Sequence, residues 1–114
     1  MRLEEIVKLL NGEILTCEDK VMEIDVKCVG AADMMSEVLA FTQESALLLT
    51  GLTTPQVIRT AQMMDLCAII LVRGKEPQKE TIELSIETNI PLIVTKELLY
   101  TACGKLYKEG LPNY

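Results

Sequence analysis

Hydrophobic and polar positions along the chain change between helical and strand-like spacing, and these changes divide it into elements. The first element is a helix over residues 2–11, closed by Asn11-Gly12. Residues 13–16 and 23–29 then have the short pattern of strands, separated by a turn or loop with the sequence CEDK. The pattern therefore predicts an N-terminal helix followed by a hairpin-like pair of strands. The apolar face of the helix consists of Leu3, Ile6, Val7 and Leu10.

The next element predicted by the spacing is a second helix. Residues 30–33, Gly-Ala-Ala-Asp, form a break, and Asp33 is the predicted N-cap of a helix that runs to about Thr42. Its inward or half-inward side chains are predicted to be Met34, Met35, Val38, Leu39 and Phe41.

The clearest signal for the architecture is residues 46–74, with the sequence ALLLTGLTTPQVIRTAQMMDLCAIILVRG. Two apolar runs, 46–50 and 67–72, flank an amphipathic helix with Thr54 as N-cap and Pro55 at its first position. The second run does not alternate, which is typical of a parallel strand covered on both faces.

The remainder of the chain continues the alternation of helix and strand. A helix is predicted at about 78–88, a strand LIVT after Pro91, and a last helix at about 96–109. Strands linked by helices lie parallel through right-handed crossovers, so the sequence predicts a three-layer α/β domain with a mainly parallel sheet. This single domain is expected to span residues 1–110, with 111–114 as a loose tail. The last helix has a broad apolar stripe of Leu98, Leu99, Ala102, Cys103, Leu106 and Tyr107.

Composition supports a folded domain and argues against a membrane protein. Hydrophobic residues make up 49% of the chain and aromatic residues only 4%, so the core is predicted to be aliphatic, with the six Met filling gaps. The apolar runs are far shorter than the roughly 20 residues that span a bilayer. The N-terminal segment carries acids where a secretory signal would not, which indicates a cytoplasmic protein.

The charge distribution narrows the class of ligand. A net charge of −6 disfavours nucleic acid and anionic membrane surfaces as partners. The net charge is −5 over residues 1–43, +1 over 44–75 and −2 over 76–114. An anion is therefore least repelled near the middle segment.

No residue pattern indicates catalysis, a cofactor or a metal. The chain has four Cys without a C-x-x-C pair, and it has no His to serve as a ligand or base. Cys67 and Cys103 lie at apolar positions and are interpreted as buried small hydrophobes. No Ser lies in a G-x-S-x-G turn, and the paired acids lie in exposed contexts. Asp33 is the one acid of interest, with helix capping as the favoured interpretation.

The candidate site is the edge where the predicted parallel strands end. Polar residues follow the strands at 50–54, 73–75 and 95–96, and ligands of open parallel sheets bind beyond such ends. Hydroxyls and N–H groups at a helix start suit an anion, although capping by threonine and a solvated turn remain open alternatives. Neither a G-x-G-x-x-G nor a Walker-type pattern is present. The candidate ligand-binding residues are Thr50, Gly51, Thr53, Thr54, Arg73, Gly74, Lys75 and Asp33.

The stretch LLLTGLTTPQVIRTAQMMDLCAIILVRGKEPQKETIELSIETNIPLIVT resembles the DRTGG domain family. Nearly the whole chain is similar to small stand-alone DRTGG-like proteins of anaerobic bacteria. Related domains precede the catalytic part of some phosphotransacetylases, lie between CBS domains in certain pyrophosphatases, and form the N-terminal domain of HPr kinase. The family is named for a Gly-Asp-Arg step and a Thr-Gly-Gly step after successive strands. This chain has Gly51-Leu52-Thr53 and Val72-Arg73-Gly74 there.

The resemblance implies an accessory domain that regulates, dimerises or transmits a signal without catalysis of its own. The leading hypothesis is thus a homodimeric regulatory or sensor domain that acts through contact with a partner protein. The alternative is a binder of a nucleotide or other phosphorylated anion at the strand ends. An enzyme with an unrecognised site is the third hypothesis.

Overall fold

A computed structural model describes residues 1–41 and 43–113, apart from the side chain of Phe41. The described strands are β1 (Glu13–Ile14), β2 (Val29–Ala31), β3 (Leu47–Thr50), β4 (Ala68–Leu71) and β5 (Leu92–Val94). The described helices are α1 (Leu3–Leu9), α2 (Glu18–Val21), α3 (Met35–Phe41), α4 (Gln56–Met63), α5 (Lys79–Thr88) and α6 (Leu99–Lys108). None of these helices is long and apolar enough to cross a bilayer.

The strands form one sheet in the order β1-β5-β4-β3-β2. Strands β2 to β5 are parallel neighbours in chain order, and β1 pairs antiparallel with β5. The parallel arrangement predicted for the apolar runs at 46–50, 67–72 and 92–95 is confirmed. Because successive right-handed crossovers advance in one direction, their connecting helices lie on one face of the sheet.

The sheet is covered on both faces, which confirms the three-layer α/β arrangement. Every residue of β3 and β4 is buried. Leu47 and Leu49 belong to an apolar cluster with α1 and α6, whereas Leu48 and Ile69 belong to a cluster with α3 and α4. The continuous apolar runs are therefore explained by burial on two sides of each strand.

The hairpin predicted for the N-terminal part is wrong. Strands β1 and β2 lie at opposite edges of the sheet and do not form a hairpin. The extended residues 24–26 instead bond to the N-terminus, through Leu3 N to Ile24 O (3.0 Å) and Val26 N to Met1 O (2.7 Å). Alternating burial identifies an extended segment without identifying its neighbour, which is why the pairing was mistaken.

Several element boundaries also differ from prediction. The CEDK segment contains most of the one-turn helix α2, and β2 includes Gly30 and Ala31 of the predicted break. Helix α4 begins one residue later than predicted, with Pro55 in place of Thr54 as its N-cap and no side-chain capping bond. The predicted end of the preceding helix at Thr42 lies outside the described residues.

The C-terminal segment is more closely packed than predicted, and α6 is more exposed. Leu111 is buried, and Val29 N donates to Pro112 O at 2.9 Å, so residues 111–113 are held against β2. Leu98 and Tyr107 of the predicted apolar stripe are exposed, because they flank the buried face centred on Ala102 and Leu106.

The cysteines at apolar positions are only partly buried. Cys67 and Cys103 both pack against the cluster formed with α1 and α6, but neither is fully covered. Burial still raises the pKa of the Cys67 thiol to about 11 and raises that of Cys103. Because the thiolate is the reactive form, this environment suits the structural role assigned from the sequence.

Two buried hydroxyls connect the segment after β1 to α5 and β5. Thr16 Oγ1 lies 2.5 Å from Ser85 Oγ, and Ser85 Oγ donates to Ile90 O at 2.6 Å. The backbone N–H of Leu92 donates to Thr16 Oγ1 at 3.0 Å. Each polar group of this network thus has a partner away from water.

Replacing Thr16 with valine is expected to lower the free energy of unfolding by about 1–3 kcal/mol, because the Leu92 N–H loses its acceptor while remaining buried. Urea denaturation measures the change. Thr101→Val is the control, since Thr101 is exposed on α6. Equal stability of the two variants would contradict a stabilising network.

Candidate functional site

The carboxyl ends of β2 to β5 meet at one edge of the sheet, as the sequence predicted. Asp33 follows β2, Gly51 follows β3, Arg73 follows β4 and Lys96 follows β5. The parallel order of these strands places residues from distant parts of the chain side by side. This carboxyl edge contains two groups of side chains with different surroundings.

The first group is centred on the Asp33 carboxylate, which does not cap α3 as predicted. Its Oδ1 accepts from Gly51 N (2.7 Å) and Thr50 Oγ1 (3.3 Å), and its Oδ2 accepts from Arg73 Nη2 (3.1 Å). The Gly51 N–H, followed by the Arg73 guanidinium, holds the pKa of Asp33 below its ordinary range against the opposing effect of partial burial. A backbone N–H and a guanidinium replace the expected capping bond.

Thr50 and Gly51 both donate hydrogen bonds to this carboxylate. The Thr50 side chain is buried, and its Oγ1 also accepts from Leu52 N at 3.2 Å. A Cβ atom at position 51 would collide with the Arg73 guanidinium. Glycine therefore allows the guanidinium to pack directly over the turn that follows β3.

Arg73 is held by a tight turn over residues 72–75. Arg73 and Gly74 have φ angles of 65° and 66°, and Lys75 N donates to Val72 O at 3.3 Å, the pattern of a type I′ turn. The left-handed conformation costs a non-glycine residue about 1–2 kcal/mol. Arg73 N donates to Glu97 O (2.8 Å) and Gly74 N donates to Thr95 O (3.0 Å), which fastens the turn to the segment after β5.

Thr53 and Thr54 belong to neither group of side chains at this edge. The Thr53 carbonyl accepts from Thr81 Oγ1 at 2.7 Å and from Gln78 N at 3.2 Å. These bonds attach the loop before α4 to the start of α5. The observed role of Thr53 is thus a backbone connection between helices.

The second group surrounds an open cavity of about 610 Å³ between the ends of β4 and β5 and the helices α1 and α6. Lys75 and Lys96 line it, and neither forms an ion pair with another described residue. Glu97 also lines it, but its carboxylate lies 2.5 Å from Lys105 Nζ. Helix α6 begins beside the cavity without a side-chain cap, so its first N–H groups add positive potential there.

The cavity also has acidic and apolar lining. Glu13 and Glu76 contribute negative charge, while Leu10, Val94 and Leu98 contribute apolar surface. The sequence predicted Gly74, Lys75 and Lys96 at this edge. It did not predict that Leu10, Asn11 and α6 enclose the cavity, because no local pattern in the sequence indicates this packing. Among the described residues, no cluster of three or more His, Cys, Asp or Glu side chains could hold a metal.

Removing the Arg73 guanidinium is expected to raise the pKa of Asp33 only part of the way to its ordinary value, because the Gly51 N–H is the larger cause of the shift. An NMR pH titration of the Asp33 carboxyl carbon in Arg73→Ala measures this pKa, with the carboxyl carbon of Asp25 as internal control. A lowered pKa stabilises the fold above the unfolded-state pKa, and this contribution is lost as pH falls through the folded-state value. If the pKa of Asp33 returned fully to its ordinary value in Arg73→Ala, the larger effect of the Gly51 N–H would be contradicted.

Comparison with known proteins identifies both a family and a structural neighbour. The model of the DRTGG domain matches residues 5–108. A crystal structure of the CBS and DRTGG domains of the regulatory region of Clostridium perfringens pyrophosphatase, complexed with the activator diadenosine tetraphosphate, superposes with a TM-score of 0.75 at 25% identity. The similarity covers 96% of this chain and 47% of that chain, so this chain spans about half of its length. No curated protein matches the chain.

Proposed function

This chain belongs to the DRTGG domain family, and from that premise we propose that it is a non-catalytic regulatory domain that binds a nucleotide or another phosphorylated anion at its carboxyl edge. The similar structure is part of a regulatory region bound to a nucleotide activator. The absence of histidine from the sequence removes the commonest general base. Regulation by ligand binding, without chemistry at the ligand, agrees with both facts.

The cavity lined by Lys75 and Lys96 is the observation that supports a ligand. Two lysines and the N-terminus of α6 favour phosphate oxygens, and the apolar lining suits a base or another uncharged group. Its volume of about 610 Å³ lies within the roughly 300–1,000 Å³ typical of small-molecule sites. A nucleotide carries both a charged phosphate group and an uncharged base, which match the basic and the apolar parts of the cavity lining.

A thermal-shift panel tests this function. Diadenosine tetraphosphate, ATP, AMP and pyrophosphate are compared with adenosine, which lacks phosphate. A ligand at 100 times its dissociation constant adds about 2.7 kcal/mol to the free energy of unfolding. We expect at least one phosphorylated compound to raise the Tm while adenosine does not. A flat response to every phosphorylated compound would overturn the proposal.

A second proposal concerns how the domain transmits its state, namely as a homodimer that contacts a partner protein. The exposed face of α6 supports it, since Tyr100 and Tyr107 are 91% and 77% exposed. They border an apolar groove of about 720 Å³ that extends to Leu111 and the β2 edge. Exposed aromatic residues are enriched at protein interfaces. The family resemblance implies the dimer, and a cytoplasmic location stays a prediction from the sequence.

Sedimentation equilibrium at micromolar concentration is expected to give a dimer for the natural chain and a monomer for the double variant Tyr100→Glu/Tyr107→Glu. Burying a carboxylate without a partner disfavours an apolar interface. Met63→Glu is the control, because Met63 is also an exposed apolar side chain, 73% accessible on α4. A monomeric natural chain would refute the dimer, and loss of dimer in the control would place the interface elsewhere.

A further inference from the structure

Three hydrogen-bond donors from different parts of the chain surround the Asp33 carboxylate. A backbone N–H (Gly51), a hydroxyl (Thr50) and a guanidinium (Arg73) converge on one carboxylate within 2.7–3.3 Å. These donor types are the ones that proteins use for carboxylate and phosphate ligands. Here the chain itself supplies the anion, which is the carboxylate of Asp33 in the segment between β2 and α3.

The backbone positions of the donors are fixed by contacts other than those with Asp33. Thr50 ends a strand that is buried along its whole length. The Arg73 backbone is fastened by its N–H to Glu97 O and by the tight turn that it forms with Gly74. The backbone positions of the donors are therefore preorganised, and the Arg73 guanidinium packs against Gly51 beside them.

The carboxylate, in contrast, is replaceable. The Asp33 and Arg73 side chains are 50% and 35% exposed, so solvent and small solutes reach the pair. Exposed ion pairs contribute only about 0–1 kcal/mol to stability. Besides this ion pair, an entering anion has to replace only the hydrogen bonds that Asp33 accepts from Gly51 and Thr50, and it can accept the same bonds itself.

We propose that Thr50, Gly51 and Arg73 form a small-oxyanion site that Asp33 closes from within, so that a carboxylate or phosphate ligand enters by displacing the Asp33 side chain. This site is separate from the cavity lined by Lys75 and Lys96, and it does not depend on nucleotide binding there. Because Asp33 precedes α3, displacement changes how the start of that helix is held against the β3 turn.

Replacing Asp33 with alanine opens the site, and acetate or inorganic phosphate then serves as the probe. Acetate reproduces the deleted carboxylate, and phosphate tests the other ligand class. Calorimetric or thermal-shift titration of Asp33→Ala is expected to show at least about tenfold tighter binding of one of them than the natural chain, the change that one charge-assisted hydrogen bond makes. Acetate alone would identify a carboxylate site, and phosphate alone a phosphate site.

Two controls locate the effect. Asp25→Ala removes the same charge from an ion pair with Lys27 on another part of the surface, and it is expected to give no gain. The double variant Asp33→Ala/Arg73→Ala is expected to lose the gain. Where the alanine variant does not fold, Asp33→Asn keeps the side-chain shape and weakens the competition by removing its charge. No gain in any folded Asp33 variant, or a gain that persists without Arg73, would overturn the proposal.

Discussion

Replacing Ile70 with alanine is expected to lower the free energy of unfolding by about 2–5 kcal/mol. Ile70 lies in β4, is fully buried, and packs in the cluster that α1 and α6 form against the sheet. Removing its outer carbons leaves a cavity, because the neighbouring helices cannot close completely around the smaller side chain. Urea denaturation gives the change through the shift of the midpoint at constant slope.

Ile86→Ala is the matched control, because the same atoms are removed from a side chain that is 61% exposed on α5. Its effect is expected to stay within about 0.5 kcal/mol. A similar loss in both variants, or a loss below about 1 kcal/mol for Ile70, would contradict burial of this face of the sheet under α1 and α6.

Replacing Lys75 and Lys96 together with alanine is expected to weaken binding of the active nucleotide by roughly 100-fold. Each lysine can make a charge-assisted hydrogen bond to phosphate, worth about 1.5 kcal/mol at the lower end of its range, and two such bonds, about 3 kcal/mol together, correspond to a factor of that order. Titration calorimetry measures the dissociation constant, with the compound that gives the largest thermal shift as the probe. The Tm without ligand should change little, because both side chains are exposed.

The control for these lysines is Lys79→Ala/Lys108→Ala, which changes the net charge by the same amount at exposed positions on α5 and α6. Nearly unchanged affinity is expected, since the long-range effect of net charge is screened at physiological salt. Equal weakening in both double variants would mean that net charge, and not the cavity, determines binding.

The central strands were predictable because strands buried on both faces appear in the sequence as continuous apolar runs. The runs at 46–49 and 67–72 lack polar residues, a composition typical of strands covered on both faces. The N-terminal part was less predictable, because alternation over 24–28 shows which side chains face inward without showing the neighbouring strand. Pairing of β1 with β5 is a long-range contact that no local pattern encodes.

The candidate site was predictable as an edge but not as a set of contacts. Parallel topology brings polar strand ends together, so the grouping of Gly51, Arg73 and Lys75 at one edge followed from the element order. The role of Asp33 did not follow, because its partner Arg73 lies 40 residues away in the chain. The capping rule considers only the helix next to Asp33 in the sequence. In the fold, the Gly51 N–H and the Arg73 guanidinium donate to Asp33 instead. The enclosure beside Lys96 likewise depends on how α1 and α6 pack.

An NMR titration of the ¹⁵N-labelled chain with the nucleotide that gives the largest thermal shift is the most direct test of ligand binding at the carboxyl edge. We expect saturable amide shifts at Gly74, Lys75 and Lys96 and in the first turn of α6, with little change in the Arg59 region of the α4–α5 groove. Shifts confined to the α4–α5 groove or to the apolar groove beside Tyr107, or no saturable shift at all, would contradict it.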